Sequence, residues 1–371
     1  MWNLPSSVPG TWRWPPRDDI PPAPNPAGVI GGPESTGRRP TAVVRVERPA
    51  ESGRLVRMRF VTALLASAGC ATPKLLMAVN APVADLRAEP HTVARPGIHD
   101  PREETQLLYG ERVRVLKTEE GWAQVEAIQQ PEYSHANAWG GYPGWVPAAA
   151  LVPAEELPVP TVVVTDKWAT TWEDSYGNRP SRWRFPMGTY LRAVDMGGQL
   201  WKIELLDGLR AWMPTSSARS LAEVRLLSPL DRRRFVLRSA ALLIGDPYYW
   251  GGRSPVTPDY TSGVDCSGLV NLAYRTVGID IPRDAHEQWM RATPVAAPQP
   301  ADVIFLSEQD HPKRIVHVML YEGDNMIIEG PGTGATVHRT TAQERFGRRM
   351  DELAPGTVID GQTVSFGSYL P

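Results

Sequence analysis

Cys266 stands in the run Asp265-Cys266-Ser267-Gly268-Leu269-Val270, and it is one of only two cysteines in 371 residues. The segment from Cys266 to Thr276 reads as a helix with Leu269, Val270, Leu272 and Ala273 as its apolar stripe. Asp265 suits the N-cap and Gly263 the turn before it. A cysteine in that first turn faces unpaired backbone N–H groups and the positive end of the helix dipole. Both favour the thiolate, the nucleophilic form. A buried structural cysteine is the alternative for the hexapeptide by itself. A thiolate hydrolase also needs a base and a group that orients the base. His317 opens the strand His317-Val318-Met319-Leu320-Tyr321, Glu322-Gly323-Asp324-Asn325 reads as a turn, and Met326-Ile327-Ile328-Glu329 returns. A hairpin centred on Gly323-Asp324 puts His317 opposite Glu329 or its neighbour, with both side chains on one face. A slip of one residue would turn Glu329 away. Among the other histidines, His311 and His338 show no such partner in the sequence, and His286 is expected on an exposed helix face.

Composition narrows the chemistry. A net charge of -2 and a pI near 6.4, without a long basic run, argue against a nucleic-acid partner. Two cysteines exclude a disulfide framework and a cysteine-rich metal site, and the seven histidines show no ligand spacing, so no cofactor is expected. No apolar run reaches the roughly 18 residues that would span a bilayer.

The elements that must position these groups follow a long tail. Residues 1–57 are rich in Pro and Arg, lack Lys and show no apolar period, which predicts disorder. Residues 58–72 read as a short helix or a short export signal starting at Met58, with Ala66 and Ala68 resembling a cleavage site. The Ser67-Ala68-Gly69-Cys70 run loosely resembles a lipoprotein acylation site. Export would place the protein at the cell envelope; without it the protein is expected in the cytoplasm.

Residues 73–155 are all-β in pattern, and residues 156–225 repeat them. Gly188-Thr189-Tyr190-Leu191 matches Gly110-Glu111-Arg112-Val113, Trp201 matches Trp122, and Trp212-Met213-Pro214 matches Trp145-Val146-Pro147. The order of turn, alternating strand and Gly-Trp-Val-Pro resembles bacterial SH3-like (SH3b) modules, small β-barrels. Ser228-Pro229-Leu230-Asp231 then reads as a helix start, opening a domain over residues 226–371. Its helices precede strands at 303–306, 316–321, 326–328 and 364–366, an α+β pattern.

The last domain resembles the NlpC/P60 cysteine peptidases. The matching pieces are Gly245-Asp246-Pro247-Tyr248-Tyr249-Trp250-Gly251-Gly252, Asp265 to Val270, Ile281-Pro282-Arg283-Asp284 with Gln288, Ala301 to Phe305, and His317 to Gly323. The resemblance implies a papain-like fold, with Cys266 as nucleophile, His317 as base and later acid, and Glu329 as the orienting group. Many members carry His at that last position. Tyr248 resembles the family's active-site tyrosine, and N–H groups at the helix start are natural oxyanion donors.

Two SH3b modules before such a domain resemble the subgroup that cleaves the γ-D-glutamyl bond to a diamino acid in peptidoglycan stem peptides with a free N-terminal L-Ala. That likeness implies that Glu104 and Tyr142 close one end of the cleft, that Asp284 holds the substrate amine, and that Asp265 and Ser267 line the same pocket. Ala285 stands where the subgroup usually has Ser. A monomer acting on wall-derived peptides is expected. A secreted hydrolase of intact wall and a non-catalytic wall-binding protein are the alternatives.

Overall fold

Alternating burial along Trp122–Glu132, with Ala123, Val125 and Ala127 turned inward, is what commits this segment to a half-buried strand. The computed structural model describes residues 75–91, 100, 102–154, 157–257 and 262–371. The expectations for residues 1–57, for 58–72 and for Cys70 lie outside the described residues. From Leu75–Val79 to Leu151–Pro153, seven strands form one antiparallel sheet; from Val162–Val164 to Ala218–Ser220, seven more form a second. Numbered from one to seven in chain order, the strands of both sheets run 3-2-6-5-4-1-7 in space. A one-turn 3-10 helix precedes the last strand of each, at Ala148–Ala150 and Thr215–Ser217. Identical topology is the structural counterpart of the repeat. The register corrects one detail of it: Trp122 pairs with Pro147 whereas Leu200 pairs with Pro214, so Leu200, not Trp201, holds the place of Trp122.

In the third domain Ser228 caps the helix Pro229–Leu242 by accepting the Asp231 N–H at 3.1 Å. A seven-stranded sheet follows, six of its strands in the spatial order Thr293–Pro294, Gln362–Ser368, Val303–Glu308, His311–Gly323, Met326–Glu329, His338–Thr341, with Val358–Ile359 also paired to Gln362–Ser368. Alternation sorts their side chains between two layers. Val303, Phe305, Val318 and Leu320 pack with Leu269, Val270 and Leu272 of the helix Cys266–Arg275. Ile304, Leu306, Met319 and Phe366 pack with Phe346, Met350 and Leu353 on the other face. Each such burial contributes about 1.5–3 kcal/mol, so the nucleophile helix is held by its apolar stripe rather than by its own propensity.

Buried charge joins the domains. Arg253, fully buried, donates to both carboxylate oxygens of Glu111 at 2.9 and 3.2 Å, and Arg275 lies 3.2 Å from the same group. Burial opposes the charge on Glu111, yet the two guanidinium groups hold its carboxyl below the usual range. Arg275 also donates to the Gly188 carbonyl at 2.7 Å, tying the second sheet to the same helix.

Candidate active site

The nucleophile helix is set by one carboxylate. Asp265 accepts the Gly268 N–H at 2.6 Å and the Gly251 N–H at 3.1 Å, and Arg283 donates to both its oxygens, at 2.7 and 3.0 Å. Arg283 also donates to Ser267 Oγ at 2.8 Å. A Cβ on Gly268 would lie 2.1 Å from the Gly252 carbonyl oxygen, so glycine is what lets this helix start approach the 251–252 loop. The polar atoms of Asp265 and Ser267 are therefore spent on Arg283 and the helix start, and both residues are buried.

Cys266 is buried, and its sulfur is hydrogen-bonded by the backbone N–H groups of Val318 and Ser267. Val318 follows His317, so the sulfur rests against the strand that carries the histidine. Burial and the Asp265 carboxylate push the thiol up to about 12, against the opposing pull of the Val318 N–H and Arg283. That outcome differs from the expectation drawn from the helix dipole. A first-turn position favours the thiolate only where water or a cation shares the site, and here desolvation dominates. The resting sulfur holds its proton and needs a base.

His317 is also buried, with Nε2 at 2.8 Å from Glu329 Oε2. That contact occupies one ring nitrogen and leaves Nδ1 for proton exchange. The hairpin differs from the expected one. Leu320 pairs with Ile328 and Gly323 with Met326, with an irregularity after Tyr321, and the tip is Asp324-Asn325, both with positive φ. Continuing that register sets Met319, not His317, across from Glu329. The histidine sits two places further on, diagonal but on the same face, because a shift of two residues preserves facing. Glu329 pairs on its other side with His338, whose Nε2 is 3.8 Å from Oε1, and Arg345 Nε lies 3.3 Å from that oxygen. Burial opposes its charge, but the His317 hydrogen bond, with Arg345 and His338 beside it, holds its carboxyl down to about 2. His338 thus has an acidic neighbour that its surroundings in the sequence do not show. His286 is half-buried rather than exposed: it accepts the Ile315 N–H at 3.3 Å and stacks on Trp289.

A second cluster forms between the first β domain and the third domain. Tyr142 Oη lies 3.0 Å from Asp284 Oδ2 and 3.3 Å from Glu104 Oε2. Asp284 is the N-cap of the helix Ala285–Arg291 but makes no capping bond with its side chain, which leaves the carboxylate turned to Tyr142. Burial, added to by the Glu287 and Asp265 charges, pushes Asp284 up to about 7 despite Arg283 beside it. Its side chain is 37% exposed, an opening toward the cleft. Tyr248 is buried nearby, its hydroxyl pushed well up by burial first and then by its neighbours Cys266 and Asp265.

Three contributors had no sequence signal of their own. His135 stands 2.9 Å from Glu132 and 3.8 Å from Glu104, with its ring edge-on to Tyr142. Arg345 reaches Glu329 from a different element, and Arg283 lies inside the Ile281-Pro282-Arg283-Asp284 run without an expected role. Among the described residues no group of three or more His, Cys, Asp or Glu side chains is arranged to hold a metal ion.

The NlpC/P60 family profile matches residues 245–351. A gamma-D-glutamyl-L-lysine dipeptidyl-peptidase of Bacillus subtilis (strain 168) is 27% identical over 248 residues, 65% of this chain and 76% of that protein. The peptidoglycan endopeptidase RipB of Mycobacterium tuberculosis (strain H37Rv) is 32% identical over 141 residues, 36% of this chain and 57% of that one. The crystal structure of an NlpC/P60 family protein from Bacillus cereus ATCC 10987 superposes with a TM-score of 0.62 at 22% identity. It covers 80% of this chain and 100% of its own, a likeness of fold.

Proposed function

Residues 245–351 form an NlpC/P60 domain, and on that footing we propose that the chain is a cysteine peptidase that hydrolyses the γ-D-glutamyl–diamino acid bond of stem peptides with a free N-terminal L-Ala. One observation carries the substrate reading: Glu104 and Tyr142 from the first β domain converge with Asp284 from the peptidase domain. Two carboxylates and a phenol in a walled corner suit a small ammonium group. An acylated or sugar-linked amine would bring no charge to these carboxylates, which discriminates against it.

In this mechanism the L-Ala ammonium docks on Glu104 and Asp284, which sets the γ-carbonyl carbon over Cys266. His317 Nδ1 takes the thiol proton as the sulfur attacks, because a thiol held near 12 does not ionise unaided at neutral pH. Backbone N–H groups at the start of the Cys266 helix receive the oxyanion. The imidazolium, oriented by Glu329, then gives its proton to the leaving amine of the diamino acid. A thioester remains, and water activated by His317 hydrolyses it. Asp265 and Ser267 serve this sequence indirectly, by fixing Arg283 and the helix start.

Purified protein is predicted to release L-Ala-γ-D-Glu from L-Ala-γ-D-Glu-L-Lys or its diaminopimelate counterpart, and Cys266→Ala and His317→Ala to abolish that release. Soluble fragments freed from intact sacculi at a comparable rate would favour the wall-hydrolase reading instead.

A further inference from the structure

We propose that Arg345 is a positioning residue that sets the working pH of the Cys266–His317 pair by sharing the Glu329 carboxylate. The geometry is specific. Glu329 is buried, with Oε2 at 2.8 Å from His317 Nε2, and Arg345 Nε straddles the carboxylate, 3.3 Å from Oε1 and donating to Oε2 at 3.4 Å. Arg345 comes from the helix Ala342–Phe346, whose start is fixed by a reciprocal capping box between Thr341 and Glu344 and whose end is fixed by Gly347 in the left-handed region. The guanidinium is two-thirds buried against this carboxylate, so solvent screens it only in part.

A buried carboxylate acting alone on an imidazole stabilises the imidazolium. In this site that would work against catalysis, because Cys266 holds its own proton and the ring must be free to accept it. A permanent positive charge shared across both oxygens of Glu329 weakens that pull while the shorter His317 contact keeps the ring oriented. His338 faces Oε1 from the adjacent strand, but at 3.8 Å and more exposed. Cys266 in turn faces Asp265, Arg283 and Tyr248, none of which touches Glu329. Arg345 is therefore the fixed counter-charge of the site.

The inference rests on His317 and Cys266 being the working pair and is independent of the substrate. Its test is the pH dependence of Cys266 alkylation by iodoacetamide, with peptide kcat/KM profiles beside it. Removing a positive charge makes protonation of the pair easier. The acid limb of both profiles should move to higher pH by about one unit in Arg345→Met and Arg345→Gln, two neutral variants of different shape. Arg345→Lys should return it. Unmoved limbs in folded Arg345→Met or Arg345→Gln protein would overturn the inference, even if the plateau rate fell, since that pattern is purely structural. Peptide cleavage unchanged in Cys266→Ala would overturn the catalytic reading beneath it as well.

Discussion

Asp284 shows how one side chain can be costly to the fold and useful to the site. Burial lifts its carboxyl from 3.8 to about 7, so the group ionises in the middle of the physiological range. Below that value it is neutral and offers an ammonium no charge. KM for a free-amine peptide should therefore fall as pH rises through about 7. The same shift has a stability consequence with a definite sign. A carboxyl raised above its unfolded value contributes stability that is present below 3.8 and lost as pH rises through about 7. Asp284→Asn should accordingly melt at a higher temperature than the parent at pH 8, while KM for the peptide rises about 10-fold or more, the worth of a charge-assisted hydrogen bond. Thermal melts at pH 5 and pH 8, paired with steady-state kinetics, read both effects.

At the scale of elements, the nucleophile helix depends on close approach rather than on length. Gly268→Ala would drive a methyl group into the Gly252 carbonyl, and urea unfolding should register a loss of about 2 kcal/mol or more. Breaking the Asp265–Arg283 pair by Arg283→Met strands a buried carboxylate and should cost about 3–5 kcal/mol. These elements were legible because their signals are local: the Asp265 cap, the apolar stripe after Cys266, and the Ser228-Pro229 start. The hairpin was legible in its facing but not in its count, since the irregularity after Tyr321 shifts the register in a way that no local pattern announces. The burial that keeps Cys266 protonated comes from the sheet packed over it, and a helix-dipole argument cannot see a neighbour that is far away in sequence. Arg345 and His135 escaped for the same reason. Glu104 and Tyr142 were reached through resemblance, not through any period or spacing of their own.

At the scale of the whole molecule, the first β domain is bonded to the peptidase domain and supplies two residues of the proposed amine corner. Glu111 holds Arg253 and Arg275 across the boundary, and Ser134 bonds Glu287 on the far side of the amine corner. Glu111→Gln would leave the buried Arg253 guanidinium without its counter-charge and Arg275 with Asp280 alone, at a cost of about 3–5 kcal/mol. It should lower the melting temperature and raise KM for the free-amine peptide, because Glu104 and Tyr142 would no longer be held against Asp284. The central claim is that this corner selects a free amine for delivery to Cys266. The most direct measurement is kcat/KM for L-Ala-γ-D-Glu-L-Lys against its N-acetyl counterpart, with Cys266→Ala as the blank. The account predicts a preference of about 100-fold or more for the free amine, lost in the blank. Equal turnover of the two peptides would contradict it.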